Sequence, residues 1–155
     1  MTTSAGRRGE QMKTDSRWTL ATGEDGGKPL IFRIRIQAPL FASKSSFPHL
    51  LAVCWNYESP NEQGMPDPAD AQRMSELEDL LEEGLEVVCQ AFLTVIVTGN
   101  GVREWQWYAR DTDVIIDLVN KTLGHLEPFP IELSFQDDPE WEGYSQFLAI
   151  IGSET

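Results

Sequence analysis

Ala91-Phe92-Leu93-Thr94-Val95-Ile96-Val97-Thr98-Gly99-Asn100-Gly101-Val102-Arg103-Glu104-Trp105-Gln106-Trp107-Tyr108-Ala109-Arg110-Asp111 carries two alternating strand patterns joined by a glycine-rich turn. Strand side chains alternate, so the length of that turn decides which residues share a face. A two-residue turn at Asn100-Gly101 sets Leu93, Val95 and Val97 beside Glu104, Gln106 and Tyr108, and no apolar face results. A three-residue loop, Gly99-Asn100-Gly101, sets Ala91, Leu93, Val95 and Val97 beside Trp105, Trp107 and Ala109. The three-residue loop is therefore the expected register. It makes Trp105 and Trp107 core residues and leaves Phe92, Thr94, Ile96, Val102, Glu104, Gln106 and Tyr108 on the other side.

Outward from this hairpin, Trp18 to Thr22 and Lys28 to Gln37 read as strands around Glu24-Asp25-Gly26-Gly27. The second alternates Leu30, Phe32, Ile34 and Ile36 with Ile31, Arg33, Arg35 and Gln37. His49 to Tyr57 is apolar on both sides until Asn56, as a central strand would be. A loop with two prolines follows over Glu58 to Asp67, and then a helix from about Pro68 to Val88. Asp67 is its N-cap, Pro68 opens its first turn, and Asp70 suits the positive end of the helix dipole. Met74, Leu77, Leu81, Leu85 and Val88 form its inward stripe, and Asp79, Glu82, Glu83 and Glu86 gather on the opposite surface.

A second helix spans Thr112 to Leu123, capped by Asp111 and closed by Gly124. Its inward residues are Ile115, Leu118, Val119 and Leu123. Phe129 to Gln136 reads as a strand with Ile131, Leu133 and Phe135 on one face. Asp138 then caps a short turn or helix presenting Trp141 and Tyr144 on one side. From His49 onward the order is strand, helix, strand, strand, helix, strand. That is a ferredoxin-like split β-α-β-β-α-β sheet in an α+β domain, with both helices on one face and an N-terminal hairpin extending the sheet. The opposite face, with Phe92, Ile96 and Tyr108, is then either an interaction surface or is covered by the N-terminal region or a second subunit, and a homo-oligomer would form through it if it stays open.

At 155 residues and 41% hydrophobic, the chain suits one domain over 18–155 behind a flexible leader over 1–17. The leader has Arg7 and Arg8 but no apolar segment after them, so it reads as neither a secretory nor a twin-arginine signal, and Met12 is an alternative start. The cytoplasm is the expected compartment. Two cysteines, Cys54 and Cys89, make no disulfide framework. His49 and Cys54 lie five apart on one strand and face opposite ways, while Cys89 and His125 have no close companion, so neither a metal nor a cofactor is expected.

The net charge is −13, from 25 acidic and 12 basic residues. Because Arg7, Arg8, Lys13 and Arg17 outnumber Glu10 and Asp15 in the leader, the body is more acidic than the whole. Direct binding to nucleic acid or an anionic membrane is excluded by that charge, and a basic protein is the matching partner. The expected contact surface combines Phe92, Glu104, Gln106 and Tyr108 with the acidic helix residues Asp79, Glu83 and Glu86. An enzyme would draw on Arg103, Glu104, Asp111 and Asp138, with His49 or His125 as base. However, Arg103 and Glu104 point to opposite sheet faces, and no nucleophile elbow, phosphate loop or metalloprotease helix is present. No catalytic residue is assigned on that basis.

Arg103-Glu104-Trp105 with Tyr108 and Asp111, the helix carrying Leu77-Glu78-Asp79, and Pro130-Ile131-Glu132 followed by Asp138-Pro139, Trp141 and Tyr144 together resemble a bacterial family called domain of unknown function 695. The resemblance covers most of Trp18 to Tyr144. It implies a soluble α+β domain, sometimes joined to one like regulator of ribonuclease activity B, and it implies no reaction. A non-enzymatic regulatory module whose basic partner is a nuclease is the reading this favours. A small hydrolase and a toxin-immunity protein are the alternatives.

Overall fold

The computed structural model describes residues 17–58 and 62–153. Of the expected leader over 1–17, residues 1–16 lie outside the described residues. Six strands form one antiparallel sheet in the order β1-β2-β4-β5-β3-β6. They are β1 (Trp18–Asp25), β2 (Lys28–Arg35), β3 (His49–Asn56), β4 (Ala91–Gly99), β5 (Val102–Ala109) and β6 (Ile131–Asp137). The N-terminal hairpin adds to the β4 edge, where Phe32 pairs with Val97. Helices α1 (Pro68–Leu81) and α2 (Thr112–Leu123) pack on one face. A third helix, α3 (Glu142–Ser153), lies across the other.

The central hairpin departs from the three-residue loop. Gly99 pairs with Val102, so the turn is the two residues Asn100 and Gly101, both left-handed at φ 53° and 84°. Such a turn follows the strand twist, and Asn-Gly tolerates it with the least strain. The parity error that this turn creates is repaired further down β4. Leu93 pairs with Trp107 and Val95 with Gln106, leaving Thr94 as a one-residue bulge. The buried Thr94 hydroxyl donates to the Gln106 carbonyl at 2.9 Å, which uses the acceptor that the irregular ladder leaves open.

Ala91, Leu93, Ile96, Trp105, Trp107 and Ala109 therefore face α1 and α2, and all are buried. Val95 and Val97 move to the other face, and Ile96 takes the inward place expected for Val95.

Helix α1 starts as expected: the Asp67 carboxylate accepts the Asp70 amide at 2.8 Å, and Met74, Leu77 and Leu81 are buried. It ends earlier than the apolar pattern suggests. After Leu81 the chain widens into one π-helical turn, Glu82–Glu86. Gly84 sits there against Thr122 of α2, where an added Cβ would overlap the Thr122 hydroxyl oxygen. The extra residue in the turn rotates the next side chains about the helix axis. Val88, expected inward, is exposed, and Glu86, expected on the surface, swings to the sheet.

The opposite face is covered from within the chain, by α3 as well as by a more N-terminal segment, and is not an interaction surface. Phe92 and Tyr108 are fully buried there, with Ile34, Phe47, Trp141 and Tyr144, under α3 and the segment leading to β3. Phe92 stacks on Tyr108 and meets Phe47 and Trp141 edge-on. A second apolar core therefore fills the place reserved for a partner or a second subunit.

Candidate functional site

The residues of the family resemblance divide by face. Tyr108, Asp138, Trp141 and Tyr144 form a latch that holds α3 to the sheet. Asp138 is placed by its own amide, which donates to the Pro48 carbonyl at 2.8 Å. Its carboxylate caps α3 by accepting the Glu142 and Gly143 amides at 2.9 and 3.0 Å, and it accepts the Tyr108 hydroxyl at 2.7 Å. That same hydroxyl accepts the Tyr144 amide at 3.2 Å. Trp141, left-handed at φ 57°, turns the chain into the helix and donates its indole N–H to the Phe47 carbonyl. The Tyr144 hydroxyl donates to the Arg35 carbonyl at 2.5 Å.

Burial disfavours the Asp138 charge, but the Tyr108 hydroxyl and the two amides outweigh it and hold the carboxyl below its ordinary range. Burial and the Asp138 hydrogen bond push the Tyr108 hydroxyl up. Burial takes Tyr144 up to about 12, with Arg35 opposing. Pro139 is exposed beside this cap. Every polar end in the latch is engaged within the chain, so these residues hold α3 to the sheet.

Glu104 and Gln106 lie on the same face beyond the latch and are half-buried. Gln106 donates to Glu104 at 2.8 Å, and the Cys54 thiol meets Glu104 at 3.5 Å. Burial and the Glu104 charge take that thiol up to about 11, so at neutral pH it is not a thiolate nucleophile. Asp111 is spent on α2, accepting the Asp113 and Val114 amides at 2.9 and 3.1 Å. The set proposed for an enzyme is thus dispersed: Arg103 under α1, Glu104 opposite, Asp111 and Asp138 in two different helix caps. His49 pairs with Asp137 at 3.0 Å, beside the Asp138 cap, and His125 is exposed. Among the described residues no three His, Cys, Asp or Glu side chains converge as metal ligands.

The α1 face carries a different polarity. Arg33 and Arg35, alternate residues of β2, reach toward α1 and flank Trp18 with their guanidinium carbons 5.0 and 5.9 Å from its ring. Arg35 pairs with Glu86 at 3.0 Å and donates to the Leu93 carbonyl, while the other Glu86 oxygen accepts the Leu93 amide. Glu86 is therefore an internal counter-ion rather than part of a docking surface. Glu78 accepts the Trp105 indole N–H at 2.9 Å and pairs with Arg33 at 3.3 Å. Arg103 donates from Nε to the Thr98 hydroxyl at 2.8 Å.

Asp79 and Glu83 do stay outside, and the structure gives them a setting that the sequence did not show. They line a groove of about 520 Å³ between α1 and the loop before β6. Glu76 and Glu127 complete its acidic rim, and Leu80, Leu126 and Phe129 form its apolar floor. Arg73 is the basic residue of the lining, held over the Phe129 ring at 4.5 Å and donating to the Pro128 carbonyl. The α1 pattern shows the acids as a stripe, but the opposite wall comes from a loop some fifty residues later.

The family described as Family of unknown function (DUF695) matches residues 16–149 of the chain. No curated protein matches it.

Proposed function

Because the chain belongs to the DUF695 family, whose function is unknown, its role has to be read from its own surface, and we propose that it is a non-enzymatic binding module that takes a basic protein segment into the groove beside α1. The carrying observation is that four exposed carboxylates, Glu76, Asp79, Glu83 and Glu127, rim a floor of Leu80, Leu126 and Phe129. A lysine or arginine flanked by an apolar side chain fits such a lining, since the charge steers the encounter and the apolar contact slows release. Phe92 and Tyr108 lose the anchoring role expected of them because they are buried, and Leu126 and Phe129 take it over.

Strand order β4-β5-β3-β6, with α1 and α2 on one face, supports a ferredoxin-like split core for this module. The fold-level likeness to regulator of ribonuclease activity B expected from the sequence, in a bacterial cytoplasm, would make a nuclease the partner class of choice, and an immunity role would use the same groove against a toxin. No helix among the described residues is long and apolar enough to cross a membrane. The dispersal of Arg103, Glu104, Asp111 and Asp138 argues against the hydrolase reading.

Titration of the protein with a short peptide alternating arginine and leucine tests the groove. Binding should weaken as salt rises, chiefly through a slower on-rate, because exposed charges are screened beyond about 10 Å at 0.1 M salt. Leu126→Ser should speed dissociation, and Glu83→Lys should lower the on-rate. A salt-independent interaction untouched by either substitution overturns the proposal.

A further inference from the structure

We propose that the groove beside α1 holds a seat for a guanidinium group, built from the Phe129 and Trp55 rings, and that Arg73 of the chain itself fills this seat until an arginine of the partner displaces it. The inference rests on the groove reading above and adds to it a residue that competes with the guest. Register builds the seat. Trp55 of β3 pairs with Ile131 at the start of β6, and Phe129 lies two residues before Ile131. The Ile131 amide donates to the Phe129 carbonyl at 2.8 Å, and Pro128 and Pro130 restrict the backbone on either side of the ring. The two rings meet with their centroids 6.0 Å apart, inclined at 61°.

Arg73 fills the corner between them. Its guanidinium carbon lies 4.5 Å from the centre of the Phe129 ring and 5.8 Å from that of Trp55. Its hydrogen bond to the Pro128 carbonyl is 3.5 Å long, at the outer limit for such a bond. Glu76 stands one turn along α1 and Glu127 lines the same groove, yet among the described residues Arg73 forms no ion pair. Inside this groove a guanidinium therefore rests on the rings in preference to the carboxylates of the rim, and little besides the rings holds it.

The guest's chemistry follows from that preference. A planar guanidinium covers a ring face and is more weakly hydrated than an ammonium, so an arginine gains more from this corner than a lysine does. The rim carboxylates attract the guest's charge, whereas Arg73, as a like charge already in place, opposes its entry. Arg73 is half-buried, and its neighbours Gln72 and Glu76 on α1 are exposed, so its side chain has solvent to swing into. Glu76, three residues along the helix, is within reach of the displaced guanidinium.

The test titrates the full chain with two peptides, one alternating arginine with leucine and one with lysine in place of arginine, and reads both affinity and the Arg73 Nε–H resonance. The arginine peptide should bind about fivefold more tightly than the lysine peptide and move the Arg73 signal toward its position in a solvated arginine. Arg73→Ala should tighten arginine-peptide binding about fivefold, because the internal competitor is gone. Arg73→Gln should act in the same direction and serves if the alanine variant does not fold. Phe129→Leu keeps an apolar floor without the ring, and it should cancel both the arginine preference and the gain from Arg73→Ala. Binding of neither peptide overturns the groove reading and the seat together. Salt-dependent binding with equal affinity for the two peptides, an arginine preference retained in Phe129→Leu, an unmoved Arg73 signal, or unchanged or weaker binding in Arg73→Ala overturns the seat alone.

Discussion

On the α3 face the buried carboxylate of Asp138 is met only by neutral donors, the Tyr108 hydroxyl and the Glu142 and Gly143 amides, whereas on the α1 face Arg33 and Arg35 meet the carboxylates of Glu78 and Glu86. Both faces belong to one sheet and both cover aromatic cores. The first network is closed, and nothing in it calls for a ligand. The second is held by ion pairs between β2 and the helix. Polarity is therefore spent on neutral hydrogen bonds on one side and on paired charges on the other. The family residues split accordingly, Tyr108, Asp138, Trp141 and Tyr144 going to the latch and Arg103 to the α1 face.

The strongest way to break this contrast is to remove a core residue from the α1 face. Trp105→Ala should lower stability by about 3–5 kcal/mol, because a fully buried ring is lost and the Glu78 oxygen loses its indole donor. Urea denaturation reads this directly, and an unchanged midpoint would mean that the ring does not pack under α1. A smaller effect is expected from the latch. Tyr108→Phe keeps the ring against Phe92 and removes only the hydroxyl, leaving Asp138 and the Tyr144 amide each one partner short. The expected cost is about 1–3 kcal/mol, and groove binding should not change.

Alkaline pH sharpens the comparison further, since Tyr144 belongs to the latch alone. Its folded pKa, about 12, lies above the ordinary value of 10.0, so the unfolded chain releases the proton first. Its contribution to stability is complete below pH 10.0 and is lost as pH rises to about 12. Urea midpoints measured across that window should fall, and Tyr144→Phe should flatten the decline. Asp138 works in the opposite sense: its pKa is lowered, so its contribution is present above the ordinary 3.8 and is lost as pH falls through the depressed folded value. The smallest stability effect belongs to the groove. Glu83→Lys is an exposed change and should move stability by no more than about 0.5 kcal/mol while altering peptide association.

Much of the framework was legible in neighbouring residues. Asp67-Pro68 and Asp111 cap their helices as read, Gly124 closes α2, and the alternation of Phe32 and Ile34 with Arg33 and Arg35 places each pair on its own face. Trp105 and Trp107 are core residues, as their period-two spacing suggested. The hairpin shows where such reading stops. Asn100-Gly101 was a local turn signal, and it prevailed over the tally of faces because one bulged residue, Thr94, restored the parity further along the strand. Nothing in Thr94 or its neighbours marks it as the bulge. Its place depends on how Leu93 and Ile96 meet Trp107 and Trp105 across the ladder.

The sequence by itself determined the order of the strands, the starts of α1 and α2 and the acidic charge, because caps and side-chain alternation act over a few residues. Tertiary structure alone decided that Glu86 turns inward through the π-helical turn, that α3 covers Phe92 and Tyr108, and that Asp79 and Glu83 face a loop carrying Leu126 and Phe129. Each of these depends on contacts between segments far apart in the chain. There the energy of close packing around Gly84, or beneath Trp141, outweighs a local apolar pattern that would have suited more than one arrangement.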